Sequence, residues 1–189
     1  KLPNGRVDST FAYRYYKSHF WDNIDFSDDR LLRTPIYANK LQQYLDKLTV
    51  QHPDSIIKEA DYLVNKTKAS PELFKYTVFY LTYNYETSKI MGMDAVFVHM
   101  ATTYYTHPKD IFWLDSSAIK KIVDRGFQLQ PLLLGKKAPN LVFRDLNNQP
   151  VSIYSVDAPY TVLYFWSYDC SNCKVETPIL IDTMKKWLP

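Results

Sequence analysis

The sequence predicts an α+β protein of two domains, an all-α domain of about six helices followed by an incomplete α/β domain. Two observations support this fold class. The first part of the chain repeats helix-start signals, each followed by apolar residues at helical spacing. The last part instead contains short apolar runs and one helix that follows a pair of cysteines. We therefore place the domains at residues 1–133 and 134–189.

Composition and charge limit the classes of function. The chain has 189 residues, of which 46% are hydrophobic, and this is enough for a substantial core. Its net charge is only +3, and its basic residues are dispersed among acidic ones. We therefore expect neither a nucleic-acid partner nor a polybasic membrane patch. No apolar run approaches the roughly 20 residues that span a bilayer.

Four helices are predicted in the first part of the helical domain. An aromatic-rich segment, about residues 9–19, has helical spacing. Thr34-Pro35 predicts a second helix, because threonine caps helix N-termini and proline fits the first helical position. A third helix follows His52-Pro53, and Ser70-Pro71-Glu72 starts a fourth that ends near Tyr85. The apolar stripes of the second and third helices are Leu41, Tyr44, Leu45 and Leu48, then Ile56, Ile57, Ala60, Leu63 and Val64.

Two further helices complete the predicted helical domain. Gly92 marks a break, after which an apolar segment from about Met93 to Tyr105 predicts the fifth helix. The sixth should begin near Asp115-Ser116-Ser117, and Pro131 should stop it. We expect Gly126 to loosen the final turns of this helix, since glycine is a poor helix former.

The density of aromatic side chains allows two interpretations. The rings could form a groove for a peptide or glycan, or they could fill the core, as aromatics at helical spacing usually do. The residues in question are Tyr13, Tyr15, Tyr16, Phe20, Trp21, Tyr76, Phe79, Tyr80, Tyr83 and Tyr85. We favour core packing. We likewise interpret His99, within an apolar helix, as a core histidine with satisfied hydrogen bonds rather than a catalytic base.

Short elements are predicted in the second domain. A hairpin should cover about residues 140–145 and 151–154. The apolar run Thr161–Trp166 predicts a buried strand, because it is short, continuous and rich in aromatic and β-branched residues. A helix should then begin at or next to Cys170 and extend to Trp187. The order of these elements is typical of an α/β domain.

Cys170-Ser171-Asn172-Cys173 stands where the predicted strand gives way to the helix. Unpaired backbone N–H groups and the positive end of the helix dipole therefore face the sulfur of Cys170. The first cysteine of such motifs has a pKa between roughly 3.5 and 7.5, below the ~8.5 of a free thiol, which makes it nucleophilic at neutral pH. Cys173 lies one helical turn further on and can attack a mixed disulfide formed at Cys170. This placement predicts a redox site.

Three alternatives to redox chemistry are weaker. Half of a zinc site would need about two more ligands, and the chain has no other cysteine. Its histidines, His19, His52, His99 and His107, show no ligand-like spacing. A purely structural disulfide would close too short a loop to remove much chain entropy. Two inert buried thiols at this spacing would be a coincidence. We expect no metal and no cofactor.

The residues around the cysteines resemble a known family. The residues that carry the resemblance are Phe165, Trp166, Cys170, Cys173, Glu176 and Pro178. Together they are similar to the signature of TlpA-like (ResA-like) thiol-disulfide oxidoreductases, which have a thioredoxin fold. The resemblance implies that Cys170 attacks a substrate disulfide and that Cys173 resolves the mixed disulfide. It also implies that Glu176 is the active-site glutamate, which exchanges protons with the thiols; a surface helix charge is the alternative for this residue.

Three further residues have supporting roles in this interpretation. Asp169 could either interact favourably with the helix N-terminus or disfavour the thiolate, and the sign is open. Trp166 should pack beneath the site. Pro178 should kink the helix, because it lacks a backbone donor. From the motif alone, the reaction could run in the reducing or the oxidising direction.

A second resemblance is carried by four stretches of the first region, residues 16–25, 31–35, 52–56 and 92–99. They are similar to the helical domain of unknown function that precedes thioredoxin-like domains in Bacteroidetes proteins. Related proteins are typically exported, often as lipoproteins anchored to the outer membrane and facing the periplasm. The resemblance therefore implies a periplasmic location and a lipid anchor outside this chain. The resemblance of the cysteine region to thiol-disulfide oxidoreductases implies protein disulfides as substrates and a thiol electron donor as a partner.

By the resemblance to thiol-disulfide oxidoreductases, we expect this sequence to contain only the N-terminal part of a thioredoxin-like domain. We expect Thr161–Trp166 to keep an unpaired edge, through which the chain could dimerise. The predicted function is a thiol-disulfide oxidoreductase that acts on cysteines of exported proteins and is weak or inactive in this shortened form. The alternative is a binding or scaffold protein whose aromatic-rich helical domain recognises a partner, with a vestigial or regulatory dithiol. Peroxidase activity is a third, weaker alternative.

Overall fold

Seven α-helices and one two-stranded sheet make up the computed structural model, which describes residues 8–187. The helices are α1 (Phe11–Ser18), α2 (Pro35–Lys47), α3 (Pro53–Thr67), α4 (Pro71–Glu86), α5 (Asp94–Thr103), α6 (Ser116–Leu129) and α7 (Ser171–Trp187). The strands are β1 (Val142–Arg144) and β2 (Pro150–Ser152). The chain divides into two compact units, Lys1–Pro139, which contains α1 to α6, and Asn140–Pro189, which contains the sheet and α7.

The helices of the first unit begin at the signals that the sequence predicts. The side chains of Thr34, Ser70 and Asp115 cap α2, α4 and α6. Each accepts a hydrogen bond from a backbone N–H group in the first turn, at 3.4, 3.3 and 2.8 Å, respectively. Prolines occupy the first position of α2, α3 and α4, where the missing N–H has no helical partner in any case. The six predicted helices of this unit are thus confirmed.

We expect Asp115→Ala to lower the free energy of unfolding of the helical unit by about 1 kcal/mol, the usual loss when an N-cap side chain is removed. The carboxylate accepts the Ala118 N–H at 2.8 Å, and alanine cannot replace this bond. Urea unfolding followed by circular dichroism measures the change. Asp124→Ala, which removes an exposed carboxylate of the same helix and its surface ion pair with Lys120, is the control. Equal losses in the two variants would contradict the role of the cap.

The core of the first unit is built by contacts between successive helices, α3 with α4, α4 with α5, and α5 with α6. The predicted apolar stripe of α2 is buried, and so is that of α3, except for the partly buried Ile57. Tyr37 of α2 is completely buried, and its hydroxyl lies 2.5 Å from the hydroxyl of Thr77 on α4. Burial raises the pKa of Tyr37 to about 12.

The aromatic residues divide between the core and the surface. Phe20, Trp21 and Tyr85 are buried, while Tyr76 and Tyr80 are partly buried and pack against the core. Core packing is therefore confirmed for these five residues. The exposed members of the set are Tyr13, Tyr15, Tyr16, Phe79 and Tyr83. Core packing does not describe them, since each leaves a large part of its ring in solvent.

His99 links two helices by a hydrogen bond to a carboxylate. Its Nε2 lies 2.7 Å from Oδ1 of Asp61 on α3, and the Tyr104 hydroxyl donates to the same oxygen at 2.7 Å. Burial and the Asp61 carboxylate raise the pKa of Tyr104. The prediction that the hydrogen bonds of His99 are satisfied is confirmed, although its ring is only partly buried.

Gly126 lets α5 and α6 approach each other closely. A Cβ added at this position would stand 2.8 Å from the Cβ of Ala101 on α5, closer than two carbon atoms pack. The expectation that Gly126 loosens the end of α6 is wrong, because the helix continues to Leu129 and the glycine is buried at a helix contact. Pro131 lies in the short 3₁₀ turn that follows. The absence of a side chain at Gly126 therefore lets α6 pack closely against α5.

The hairpin of the second unit is confirmed, with β1 and β2 paired antiparallel. Asp145 holds the turn between them, since its carboxylate accepts the N–H groups of Asn147 and Gln149, each at 2.8 Å. Asn148, between these two residues, has a φ of 63°. Asparagine tolerates this left-handed conformation better than most residues that carry a side chain.

The prediction that Thr161–Trp166 forms a buried strand is wrong. No segment within residues 8–187 pairs with it, and its apolar side chains are exposed, Val162 by 80%. The prediction relied on the apolar run alone. A strand also needs a neighbour whose backbone groups complete its hydrogen bonds, and the sheet in the described part of the chain contains only β1 and β2.

Candidate redox site

Cys170 caps the N-terminus of α7, which begins at the next residue, as predicted. Its carbonyl accepts the Lys174 N–H at 3.2 Å, and its Sγ accepts the Cys173 N–H at 3.1 Å. The sulfur thus takes the place of the side-chain oxygen of Ser, Thr or Asp at other helix starts. A backbone donor and the positive end of the helix dipole both favour negative charge on this sulfur in the reduced protein.

A disulfide joins Cys170 to Cys173, whose Cα atoms are 5.2 Å apart. They are the only two cysteines of the chain. Cys173 is buried, with 9% of its surface exposed, whereas Cys170 is only partly buried. An external thiol or disulfide can therefore reach the sulfur of Cys170 more readily than that of Cys173. The arrangement provides one more accessible and one protected cysteine, which suits exchange through a mixed disulfide.

Thr177 and Tyr164 form hydrogen bonds next to the cysteines that the sequence interpretation missed. The Thr177 hydroxyl donates to the Cys173 carbonyl at 2.6 Å, and the Tyr164 hydroxyl lies 2.9 Å from the Thr177 oxygen. Together these bonds attach the run of residues before the site to α7. A threonine four residues after Cys173 in a helix is a local signal for the first bond. No local signal indicates the second, because Tyr164 lies outside the helix.

Asp169 precedes Cys170 and is exposed. Its carboxylate accepts a hydrogen bond from the Ser167 hydroxyl, and this bond is the main reason that the pKa of Asp169 is lowered. Asp169 is therefore negatively charged at neutral pH. Its side chain forms no hydrogen bond with the N–H groups that open α7 in the described part of the chain. A negative charge beside Cys170 opposes the thiolate, whereas the Cys173 N–H favours it.

The other three predicted site residues lie on the surface. Glu176 and Pro178 are exposed on α7, and Glu176 forms no hydrogen bond or ion pair within residues 8–187. The prediction that Trp166 packs beneath the site is wrong, since 59% of its surface is exposed. The reason is that the strand that would have buried it does not form. Trp166 instead lines an open groove of ≈ 480 Å³, together with Lys174, Thr177, Pro178, Ile181 and Asp182.

Residues 8–187 contain neither a metal-binding cluster nor a membrane span. No three His, Cys, Asp or Glu side chains in this range are grouped so that they could hold a metal ion. None of its helices combines the length and the apolar character needed to cross a bilayer.

Known proteins resemble the chain in sequence and in structure. Residues 1–125 match the model of a family described as a domain of unknown function, DUF5106. A thioredoxin-like protein from Bacteroides caccae ATCC 43185 has a similar structure, with a TM-score of 0.64 and 19% sequence identity. The similarity covers 98% of this chain and 69% of that chain, and at this identity it shows a common fold only. No curated protein matches. Since the family model covers well over half of the residues, the chain belongs to the DUF5106 family.

Proposed function

We propose that this protein is a thiol-disulfide oxidoreductase that acts on cysteines of exported proteins. One observation carries the proposal: the sulfur of Cys170 caps α7, accepts the Cys173 N–H at 3.1 Å and is bonded to Cys173. This geometry favours a thiolate at Cys170 and keeps a second thiol within reach. The thioredoxin-like structural neighbour supports a redox role at the level of the fold.

In the proposed cycle, the two cysteines transfer two electrons. The Cys170 thiolate attacks one sulfur of a substrate disulfide, so that a new S–S bond forms, the substrate bond breaks and the other substrate sulfur leaves as a thiolate. Cys173 then loses its proton and attacks Cys170, which forms the intramolecular disulfide and releases the second substrate thiolate. The substrate has gained two electrons. A thiol electron donor returns the protein to its reduced form by the same two steps.

The neighbouring residues would adjust this reaction without exchanging bonds. Glu176 would accept the proton of Cys173, because it is an exposed carboxylate one helical turn further along α7. Asp169 would limit the stability of the Cys170 thiolate through its negative charge. Pro178 leaves the Lys174 carbonyl without its usual helical donor, and this deficit would bend α7 behind the site.

We further propose that the protein works in the cell envelope, in the periplasm or on the periplasmic face of the outer membrane. The proposal rests on the resemblance of the helical region to domains of exported proteins and on the chemistry of the dithiol. Disulfides persist in exported proteins, so suitable substrates are available there. Membership of the TlpA-like (ResA-like) class and a lipid anchor outside this chain belong to the same proposal.

The Cys173→Ser variant should accumulate mixed disulfides at Cys170, because serine cannot resolve them. We expect incubation of the reduced variant with insulin, followed by acid quenching, to yield a covalent adduct on a non-reducing gel. A reductant should release it. Expression of the same variant in the periplasm, with mass spectrometry of the captured species, then identifies physiological substrates.

The Cys170→Ser/Cys173→Ser variant is the matched control and should form no adduct. Circular dichroism of both variants checks that the helices are retained. A folded Cys173→Ser variant that forms no more adduct than this control, with insulin and in the periplasm, would contradict the proposed function.

A binding or scaffold role is the second candidate, and the exposed aromatic residues of the helical unit favour it. The rings of Phe79 and Tyr83 on α4 stack with centroids 6.0 Å apart and leave most of their surface in solvent. Exposed apolar patches often mark interaction sites. Stable noncovalent partners of the unmodified protein, together with an absence of trapped species on Cys173→Ser, would support this role instead.

A further inference from the structure

A groove on the helical unit lies between the end of α3, the start of α4 and the loop from α5 to α6. It consists of two adjoining cavities of ≈ 490 and ≈ 270 Å³, both lined by Lys68, Phe74 and Asp110. We call it the basic groove, and its other lining residues are Pro71, Thr103, Tyr104, His107, Lys109 and Phe112. We propose that the basic groove binds a small organic carboxylate with an aromatic or aliphatic body. This site is separate from the proposed chemistry of the cysteines.

The charges of the basic groove favour an anion. Lys68 and Lys109 are exposed, and neither forms an ion pair with any residue that the structure describes. Asp110 is the one carboxylate of the described lining, so the two ammonium groups outnumber it. Most lysines of a protein surface are solvated singly, but these two line the same concave space. A carboxylate between them would form charge-assisted hydrogen bonds with both ammonium groups. In a concave site, fewer water molecules compete for these bonds than on a flat surface.

The walls of the basic groove are aromatic rings held in place by a third ring. Phe74 is buried, and its ring centroid lies 6.0 Å from that of Trp113 in an edge-to-face arrangement. Phe112 is 56% exposed, yet its ring also packs edge-to-face on Trp113, with centroids 5.1 Å apart. Trp113 thus supports both walls before any ligand is present. Preorganised walls reduce the entropy that is lost on binding, and their faces suit an apolar body.

His107 adds a polar group to the groove, and its hydrogen bond determines the tautomer of the neutral ring. Its Nδ1 lies 3.0 Å from the Thr103 carbonyl, which can only accept, so the proton of the neutral ring is on Nδ1. Its Nε2 has no hydrogen-bond partner among the described residues and remains an acceptor. The Tyr104 hydroxyl, by contrast, already donates to Asp61. An N–H or O–H group on the ligand therefore has a candidate partner in His107.

The size of the basic groove matches a ligand no larger than one or two amino acids. Small-molecule sites typically occupy about 300–1,000 Å³ and combine apolar walls with a few polar groups. Acylated amino acids share this chemistry, since they carry a carboxylate, an N–H group and a side chain. We therefore use N-acetyl-phenylalanine as the probe. Its amide, N-acetyl-phenylalaninamide, has the same shape without the charge.

Titration of the ¹⁵N-labelled chain with each probe tests the proposal by NMR. We expect saturable shifts for N-acetyl-phenylalanine at the amides of the non-proline residues in 68–74 and 103–113, with a dissociation constant of roughly 1 mM. The amide should bind about tenfold more weakly, because it lacks the charge that pairs with the lysines. Raising the salt concentration should weaken the acid and leave the amide nearly unchanged.

Two variants assign the effect to the groove. Lys68→Gln/Lys109→Gln should remove the difference between the acid and the amide. Lys89→Gln/Lys121→Gln removes the same charge from exposed positions elsewhere and should preserve the difference between the two probes. Phe112→Ala should weaken both probes alike, since it removes one wall. The dispersion of the amide spectrum shows that each variant is folded.

Three results would overturn the proposal. The first is equal affinity of the acid and the amide for the unmodified chain. The second is shifts that do not saturate, or that map outside residues 68–74 and 103–113. The third is an equal loss of acid binding in the two lysine double variants, which would indicate a response to net charge alone.

Discussion

Replacement of Cys170 by serine is expected to reduce the rate of disulfide exchange by at least about a hundredfold, because it removes the proposed nucleophile. Serine is not ionised at neutral pH and cannot form a disulfide. Cys173 remains in this variant, but it is buried, with 9% of its surface exposed, so it is a poor substitute. The measurement is the initial rate of reduction of a peptide disulfide, with the reduced protein in excess of substrate in a single turnover.

The loss of rate should be specific to the sulfur at position 170, not to any change at the helix start. Ser171→Ala, which changes the next residue and leaves both sulfurs in place, is the control and should alter the rate by less than about threefold. Comparable rates for Cys170→Ser and the unmodified protein would show that Cys170 is not the attacking thiol. A uniformly undetectable rate in the unmodified protein and both variants, together with no adduct on Cys173→Ser, would remove support for the oxidoreductase proposal itself.

Gly126→Val is expected to destabilise the helical unit by about 3 kcal/mol, at the upper end of the cost of overpacking. Even the first carbon of the new side chain would stand 2.8 Å from the Cβ of Ala101. Neither atom can move away by rotation of a side chain, because both are Cβ atoms fixed to helix backbones. The gain in helix propensity over glycine, well under about 1 kcal/mol for valine, is too small to offset the contact. Denaturant unfolding measures the loss.

A double-mutant cycle separates the contact from the intrinsic preferences of the residues. Gly126→Ala should also destabilise the unit in the natural background, although alanine is the better helix former. In the Ala101→Gly background the opposing carbon is gone, and the same substitution should become neutral or stabilising. A coupling energy near zero between Gly126 and Ala101 would show that α5 and α6 relax without cost, contrary to their close contact at these two residues.

The helix starts could be predicted because their causes are local. Thr34, Ser70 and Asp115 each bond a backbone N–H group only two or three residues away. The capping preference of such residues is a property of short peptides as much as of folded proteins. The same locality explains why the cysteine pair could be recognised. Residues 170 and 173 of a helix start lie on the same side of one turn whatever surrounds them.

The strand prediction failed for the opposite reason. The apolar run Thr161–Trp166 has the composition of a strand, but composition does not provide a partner for its backbone groups. The predicted burial of Trp166 failed for the same reason, because it depended on the formation of this strand. The hydrogen bond from Tyr164 to Thr177 could not be predicted either, since it joins residues 13 apart in two different segments.

The basic groove illustrates a further limit of one-dimensional patterns. The whole of α4 and α5 lies between Lys68 and Lys109 in the chain, and nothing near either residue in the sequence indicates that they line one space. Phe112 and Phe74 share a supporting ring only because the loop before α6 folds back on the start of α4. Such clusters are properties of helix packing and are absent from any single helix.

By itself, the amino-acid sequence determined where the helices of the first unit begin and that two sulfurs meet at the start of the last helix. Caps and helical turns connect residues at most four apart, so their free energies depend little on distant parts of the chain. Only the tertiary structure decided which of the two sulfurs is shielded, why residue 126 must be glycine and which lysines line the basic groove. These properties depend on close contacts between remote segments, and such contacts exist only once the helices have packed.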